Sequence, residues 1–110
     1  MLSKSDLVRI SGPLGLYSVA RYITRKQPRI MMYHRFSDNV SQGRVSKATF
    51  EAQIIYLKKH FKIIRLSSLS NAIENASPLS NNVISLTIDD GYEDFYNIAY
   101  PILKKHAVPA

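Results

Sequence analysis

Between residues 29 and 110 short continuous apolar runs alternate with runs spaced by three or four residues, and each kind predicts a different element. Arg29-Ile30-Met31-Met32-Tyr33 predicts a strand that begins after Pro28 and ends at His34. Residues 37–44 are rich in Ser, Asn and Gly and predict a loop. Phe50, Ile54 and Leu57 then share one face of a helix that opens at Ser46 or Lys47 and runs through His60, with Ser46 and Thr49-Phe50-Glu51 as its N-cap region. Phe61-Lys62-Ile63-Ile64 predicts a second strand. Ser67 or Ser68 caps a short helix through Ala76, with Leu69, Ala72 and Ile73 inward. After a turn cluster at residues 77–82, Val83-Ile84-Ser85-Leu86-Thr87-Ile88 is β-branched and almost continuously apolar, the pattern of a strand covered on both faces. Asp89-Asp90-Gly91 stops it. A helix follows from about Asp94 to His106 with Phe95, Ile98, Ala99, Ile102 and Leu103 inward, and Pro101 is expected to kink or redefine it. Val108-Pro109-Ala110 is expected to open another strand.

The order strand, helix, strand, helix, strand, helix predicts an α/β architecture with a parallel sheet or an arc of a barrel. Three strands alone leave an open edge and a half-covered core, so the chain reads as the front part of a larger domain. Ahead of this region, residues 5–25 are weakly helical with a break at Gly12-Pro13-Leu14-Gly15, and Leu16, Val19, Ala20 and Ile23 recur on one face. The expected organisation is a basic, weakly helical segment over residues 1–28 and the α/β region over residues 29–110.

Charge sharpens that division. The net charge is +7, and residues 1–35 hold seven of the basic residues against a single acid, Asp6. Such a segment attracts anionic membranes, nucleic acid or acidic polymers, and the plainer reading is a solvated basic lead-in. With no aromatic-basic interleaving, a nucleic-acid partner is not expected; peripheral membrane contact through residues 1–28 stays open. No run reaches the roughly 18 apolar residues of a membrane span. Leu14 to Ile23 is apolar enough for a short signal-type core, but Gly12-Pro13 precedes it, Arg21 interrupts it and no cleavage site follows, so a cytoplasmic or peripheral membrane location is expected. The absence of cysteine excludes disulfides and thiolate metal sites.

Candidate chemistry gathers at Asp89-Asp90-Gly91. Ligands of parallel α/β sheets bind beyond the carboxyl ends of the strands. Two adjacent carboxylates there repel one another, which a metal ion bound by one of them relieves, freeing the other to act as a general base. Gly91 permits the sharp turn that aims both. A second reading is a simple strand-to-helix turn in which Asp90 or Asp94 caps the following helix.

A resemblance bears on that choice. Thr87-Ile88-Asp89-Asp90-Gly91-Tyr92 resembles the first motif of the polysaccharide deacetylase family with the NodB homology domain, usually Thr-Phe-Asp-Asp-Gly, with Ile88 in place of Phe. Met32-Tyr33-His34-Arg35-Phe36 resembles the first strand of these proteins, the stretch from Phe50-Glu51-Ala52-Gln53 to Tyr56-Leu57 the next helix, and Tyr100 to His106 with Val108-Pro109-Ala110 the lead into the next strand. The match covers about residues 29–110. It implies the N-terminal arc of a distorted, incomplete (β/α) barrel and the hydrolysis of N-acetyl groups on a polysaccharide or oligosaccharide. By the same resemblance Asp89 is the general base and Asp90 the ligand of a divalent metal, zinc in most members. Water attacks the amide carbonyl, Asp89 takes the proton, acetate leaves, and a free amine remains.

The same pattern shows what the chain lacks. The family's other two metal ligands are a His pair at i, i+4, and no His-x-x-x-His occurs here. Catalytic zinc normally has three protein ligands, so the chain by itself is expected to be inactive. His34 ends the first predicted strand and is open between lining the site and a structural hydrogen bond; Gly91 and Tyr92 are further candidates to line it. His60 and His106 each follow Lys-Lys at a helix end and are expected to interact with the helix dipole. The tyrosines read as core or rim residues. The rival to the enzyme reading is a non-catalytic truncated product whose basic segment binds a membrane surface or anionic polymer.

Overall fold

Backbone hydrogen bonding in the computed structural model, which describes residues 16–110, follows the predicted alternation. The elements are α1 (Leu16–Ile23), β1 (Arg29–Tyr33), β2 (Phe36–Ser37), β3 (Val45–Ser46), α2 (Lys47–His60), β4 (Lys62–Ile63), α3 (Leu66–Glu74), β5 (Val83–Ile88), a π-helical stretch (Phe95–Ala99) and α4 (Tyr100–Lys105). The helicity expected from residue 5 and the break at Gly12-Pro13-Leu14-Gly15 lie outside the described residues. No helix among the described residues is long and apolar enough to cross a membrane.

Among the described residues β1, β5 and β4 form one sheet in that order, and both pairings are parallel. The described residues do not form a complete barrel. Sheet order departs from chain order because β5 is the most apolar strand: placed centrally, Val83, Ile84, Ser85 and Leu86 are all buried. The buried Ser85 hydroxyl is satisfied by donating to the Ile64 carbonyl at 2.9 Å. Thr87 and Ile88 are only half-buried, since the strand emerges from the core toward its carboxyl end. β1 lies at the sheet's edge, and Ile30 and Met32 stay exposed.

α2 forms as its periodicity predicts. Ser46 is the N-cap, its hydroxyl accepting from the Thr49 amide, and Phe50, Ile54 and Leu57 are buried. Phe50 meets the rings of Tyr33 and Phe36 edge-on, with centroids 5.0 and 4.9 Å apart. This cluster joins Leu86, Ile98, Ala99, Ile102, Leu103 and Val108 in one core.

Two local expectations change. α3 starts at Leu66 after Arg65, with no side-chain cap, and Ile73 is 62% exposed; Leu69 alone of its apolar residues is fully buried. Residues 108–110 form no strand, although Val108 is buried in the core. The last helix is redefined at Pro101, as expected: Tyr100 N–H donates to the Phe95 carbonyl, five residues back, before α4 begins with Pro101 in its first turn. Pro101 has no N–H to continue the four-residue ladder, so the chain widens by one residue ahead of it. The wide turn still sends Ile98, Ala99, Ile102 and Leu103 inward. One feature has no sequence precursor in the periodicity: β2 and β3 pair as two-residue parallel strands around the 37–44 loop.

Truncating Phe50 to Ala should cost about 3–5 kcal/mol, the range for a buried aromatic, in chemical denaturation of the chain. Tyr33 offers a second test. Burial pushes its phenol up to about 12, while its hydroxyl donates to Gln53 Oε1 at 2.7 Å. A group whose folded pKa is raised stabilises below its unfolded pKa, and that stability is lost as pH rises through the folded value. Stability should therefore fall between pH 10 and 12 with a slope that Tyr33→Phe reduces. The same variant should be about 1 kcal/mol less stable at pH 8, having lost one hydrogen bond.

Candidate functional site

The parallel register of β1 and β5 sets the site. Tyr33 is the partner of Ile88, so the residues that follow, His34 and Asp89, emerge side by side at one rim of the sheet. Asp89 N–H donates to the Tyr33 carbonyl at 2.9 Å and extends the ladder by one step. His34 Nε2 stands 3.8 Å from Asp89 Oδ2, with both side chains about half exposed. That separation exceeds a hydrogen bond and becomes an ion pair only when the imidazole is protonated.

Beyond Asp89 the backbone turns sharply. Asp90 has φ +71° and Gly91 φ +58°, two consecutive residues in the left-handed region. Aspartate tolerates this region better than most side chains and glycine adopts it freely. A Cβ on Gly91 would meet nothing within 4 Å, so backbone conformation, not space, calls for glycine there. Asp90, two residues past the end of β5, is exposed, and Tyr92 is 41% exposed.

The turn-and-cap alternative for Asp94 does not describe this structure. Asp94 makes no side-chain cap bond; its Oδ2 accepts from Arg35 Nε at 2.8 Å and lies 3.7 Å from Arg44 Nη1. The hydrogen bond to Asp94 raises the Arg35 pKa, against a smaller desolvation that lowers it. The Arg35 guanidinium also lies over the Tyr92 ring, 3.9 Å from its centroid. Arg35, Arg44, Tyr92 and Asp94, with Asp38 and Asn97, line a polar cleft next to the Asp89–Asp90 turn. Reading the sequence singled out neither arginine, because their partner lies 59 residues from Arg35 and is reached only through strand pairing.

His60 and His106 lie away from this rim, at the helix ends expected of them: His60 in the last turn of α2 and His106 at the C-cap of α4. His60 packs on Tyr56 with centroids 4.5 Å apart, and partial burial followed by the nearby Arg21 and Lys59 cations pushes its pKa down. His106 Nε2 is 3.5 Å from Glu51 Oε1, which also accepts from Lys105 Nζ at 2.9 Å; hydrogen bonds from these two hold the Glu51 carboxyl below its ordinary range. Both are contacts between helices or within one.

With that geometry described, the chain's likenesses point one way. No protein-family model matches it. It is 35% identical over 82 residues to YxkH of Bacillus subtilis (strain 168), whose name assigns it to the polysaccharide deacetylases. It is 27% identical over 82 residues to the poly-beta-1,6-N-acetyl-D-glucosamine N-deacetylase of Escherichia coli (strain K12). Among solved structures it superposes on IcaB from Ammonifex degensii with a TM-score of 0.68 at 25% identity, covering 74% of this chain and 35% of that one. Streptococcus pyogenes deacetylase PplD, solved with acetate, gives a TM-score of 0.64 at 29% identity over 77% of this chain and 41% of that one. The chain is related to the polysaccharide deacetylases. The Bacillus match covers 74% of the chain and 29% of the relative, and the Escherichia match 71% and 12%. The α/β arrangement of parallel strands and helices corresponds to part of the fold of these deacetylases.

A divalent metal is what the resemblance implies, and the donor chemistry fits in part. An exposed carboxylate at Asp90, beside a second carboxylate and an imidazole, suits one ligand position. Among the described residues, however, no three His, Asp or Glu side chains gather into a metal-holding group. The described residues at this rim fall short of the three protein ligands normal for catalytic zinc. Calorimetric titration of the 110-residue chain with zinc should therefore show no micromolar binding. A micromolar site abolished by Asp90→Asn would reveal a complete donor set.

Proposed function

We propose that the chain forms part of a metal-dependent carbohydrate deacetylase that removes N-acetyl groups from a polysaccharide, with Asp89 as proton acceptor and Asp90 as one metal ligand. The observation that carries this reading is the Asp89-Asp90-Gly91 turn at the carboxyl end of the central strand, in a chain related to polysaccharide deacetylases. The relative named for poly-beta-1,6-N-acetyl-D-glucosamine supports an N-acetylated glycan as the substrate class.

Each residue at the rim has work to do in such a hydrolysis. Asp89 is fixed by its backbone at the end of the ladder and half exposed, so a water at the mouth of the strand can reach its carboxylate. It accepts the proton as that water adds to the amide carbonyl. The same proton can then pass to the departing amine nitrogen as the C–N bond breaks, so a free amine and acetic acid, which ionises to acetate in water, leave and the Asp89 carboxylate is restored. Asp90, exposed in a left-handed turn, is free to act as a ligand. When bound, a divalent ion such as zinc supplies Lewis-acid polarisation of the groups undergoing reaction. His34 lines the rim beside Asp89, and Gly91 and Tyr92 shape its outer wall.

The two carboxylates should fail differently in the protein that carries this chain together with the remaining donors. Asp90→Asn should lower metal content and acetate release together. Asp89→Asn should keep the metal and lose about 10²- to 10⁴-fold in rate, the usual cost of a missing general base. Metal analysis and acetate assay on both variants decide it: reversed behaviour would exchange the roles, and two fully active variants would reduce the segment to a turn.

A further inference from the structure

The Asp90–Gly91 turn is locally unfavourable and needs something to hold it. A non-glycine residue in the left-handed region stores strain that persists only where surrounding contacts over-determine the backbone. Upstream the anchor is plain: Asp89 N–H is bonded to the Tyr33 carbonyl. Downstream, the turn is followed by Tyr92 and Asp94, and both meet a single side chain. Arg35 Nε donates to Asp94 Oδ2 at 2.8 Å while its guanidinium plane covers the Tyr92 ring at 3.9 Å. Phe95 N–H closes back onto the Tyr92 carbonyl at 3.1 Å.

We propose that Arg35 and Asp94 are a positioning pair that clamps the Asp89–Asp90–Gly91 turn against the end of β1, so that one short segment, Tyr33 to Arg35, fixes both sides of it. The pair's catalytic weight rests on the deacetylase reading; the clamping itself does not. Arg35 stands two residues past Tyr33, the β1 residue that receives the upstream hydrogen bond. Its reach therefore spans the turn from the same strand end. Arginine suits the task because one planar group can donate along its edge and stack on an aromatic face at once, which an ammonium cannot. Asp94 is spared from helix capping and its side chain is only 11% exposed. Its Oδ1 is buried without a hydrogen-bond partner, so removing Arg35 leaves a carboxylate that is largely out of water with only the more distant Arg44 Nη1, 3.7 Å from Oδ2, beside it. An ordinary exposed ion pair contributes little; this one is set apart by the burial of its anion and by the strained turn it spans.

Amide hydrogen exchange by NMR on the 110-residue chain tests the clamp. The variants are Arg35→Met, which keeps an unbranched stem, Asp94→Asn, which keeps the shape, the double variant, and Arg35→Lys. In each single variant the Asp89 and Phe95 amides should lose roughly 10- to 100-fold in protection, the size expected of a charge-assisted hydrogen bond, while amides inside β5 keep theirs. The double variant should lose no more than either single one, and Arg35→Lys should recover part of the loss. Unchanged exchange at Asp89 and Phe95, equal loss throughout β5, or additive single effects would each overturn the proposal. In the protein with all metal donors present, Arg35→Met should lower kcat for acetate release with KM retained. A wild-type protein that releases no acetate removes the deacetylase reading and leaves the exchange result to stand by itself.

Discussion

The parallel pairing of β1 with β5 is the constraint on which the site depends. Its register joins Tyr33 to Ile88, and every candidate group follows from that step: His34 and Asp89 leave adjacent strands at the same rim, and Arg35 comes within reach of Tyr92 and Asp94. The side-chain period of a strand is two, so a slip of one residue would turn each of these groups to the opposite face. The register is protected by burial. Tyr33, Ile84 and Leu86 belong to the same core cluster as Phe50 and Ile54 of α2, and a shifted strand would expose them.

Around that pairing the core favours aromatic and β-branched residues on elements far apart in sequence. Tyr33, Phe36 and Phe50 interlock at ring distances of 4.9–5.8 Å, tying the end of β1 and the start of β2 to the first turns of α2. The segment after the site packs against the same cluster through Ile98, Ala99, Ile102 and Leu103. The π-helical turn ahead of Pro101 belongs to this arrangement. It accommodates a residue that cannot donate while keeping both halves of the helix facing the core. The rim thus lies next to the buried core cluster.

Electrostatics are arranged in two separate places. Glu51, Lys105 and His106 link α2 to α4 away from the rim. Arg35, Arg44 and Asp94 gather at the rim itself, next to the two carboxylates of the turn. The cations there are bound to Asp94, which leaves Asp89 and Asp90 without an arginine partner in the described contacts and available for chemistry.

The sequence by itself determined the order of the three sheet strands and the main helices, the inward faces of α2 and of the final helix, the buried character of residues 83–86, and the Asp89-Asp90-Gly91 stop that follows. These are local properties: periodicity, capping by Ser46 and the conformational freedom of Gly91 act within a few residues and are written in neighbouring positions. Tertiary structure decided the rest. The sheet order β1-β5-β4 reflects competition among strands for the central position, which the most apolar strand wins. The exposure of Ile73 and the failure of residues 108–110 to form a strand depend on which neighbours are present to cover or pair with them. The Arg35–Asp94 contact spans 59 residues, and nothing in either residue's surroundings in sequence announces the other. A pair of opposite charges becomes an interaction only when strand pairing brings their backbones together, and that is settled by burial of the whole core.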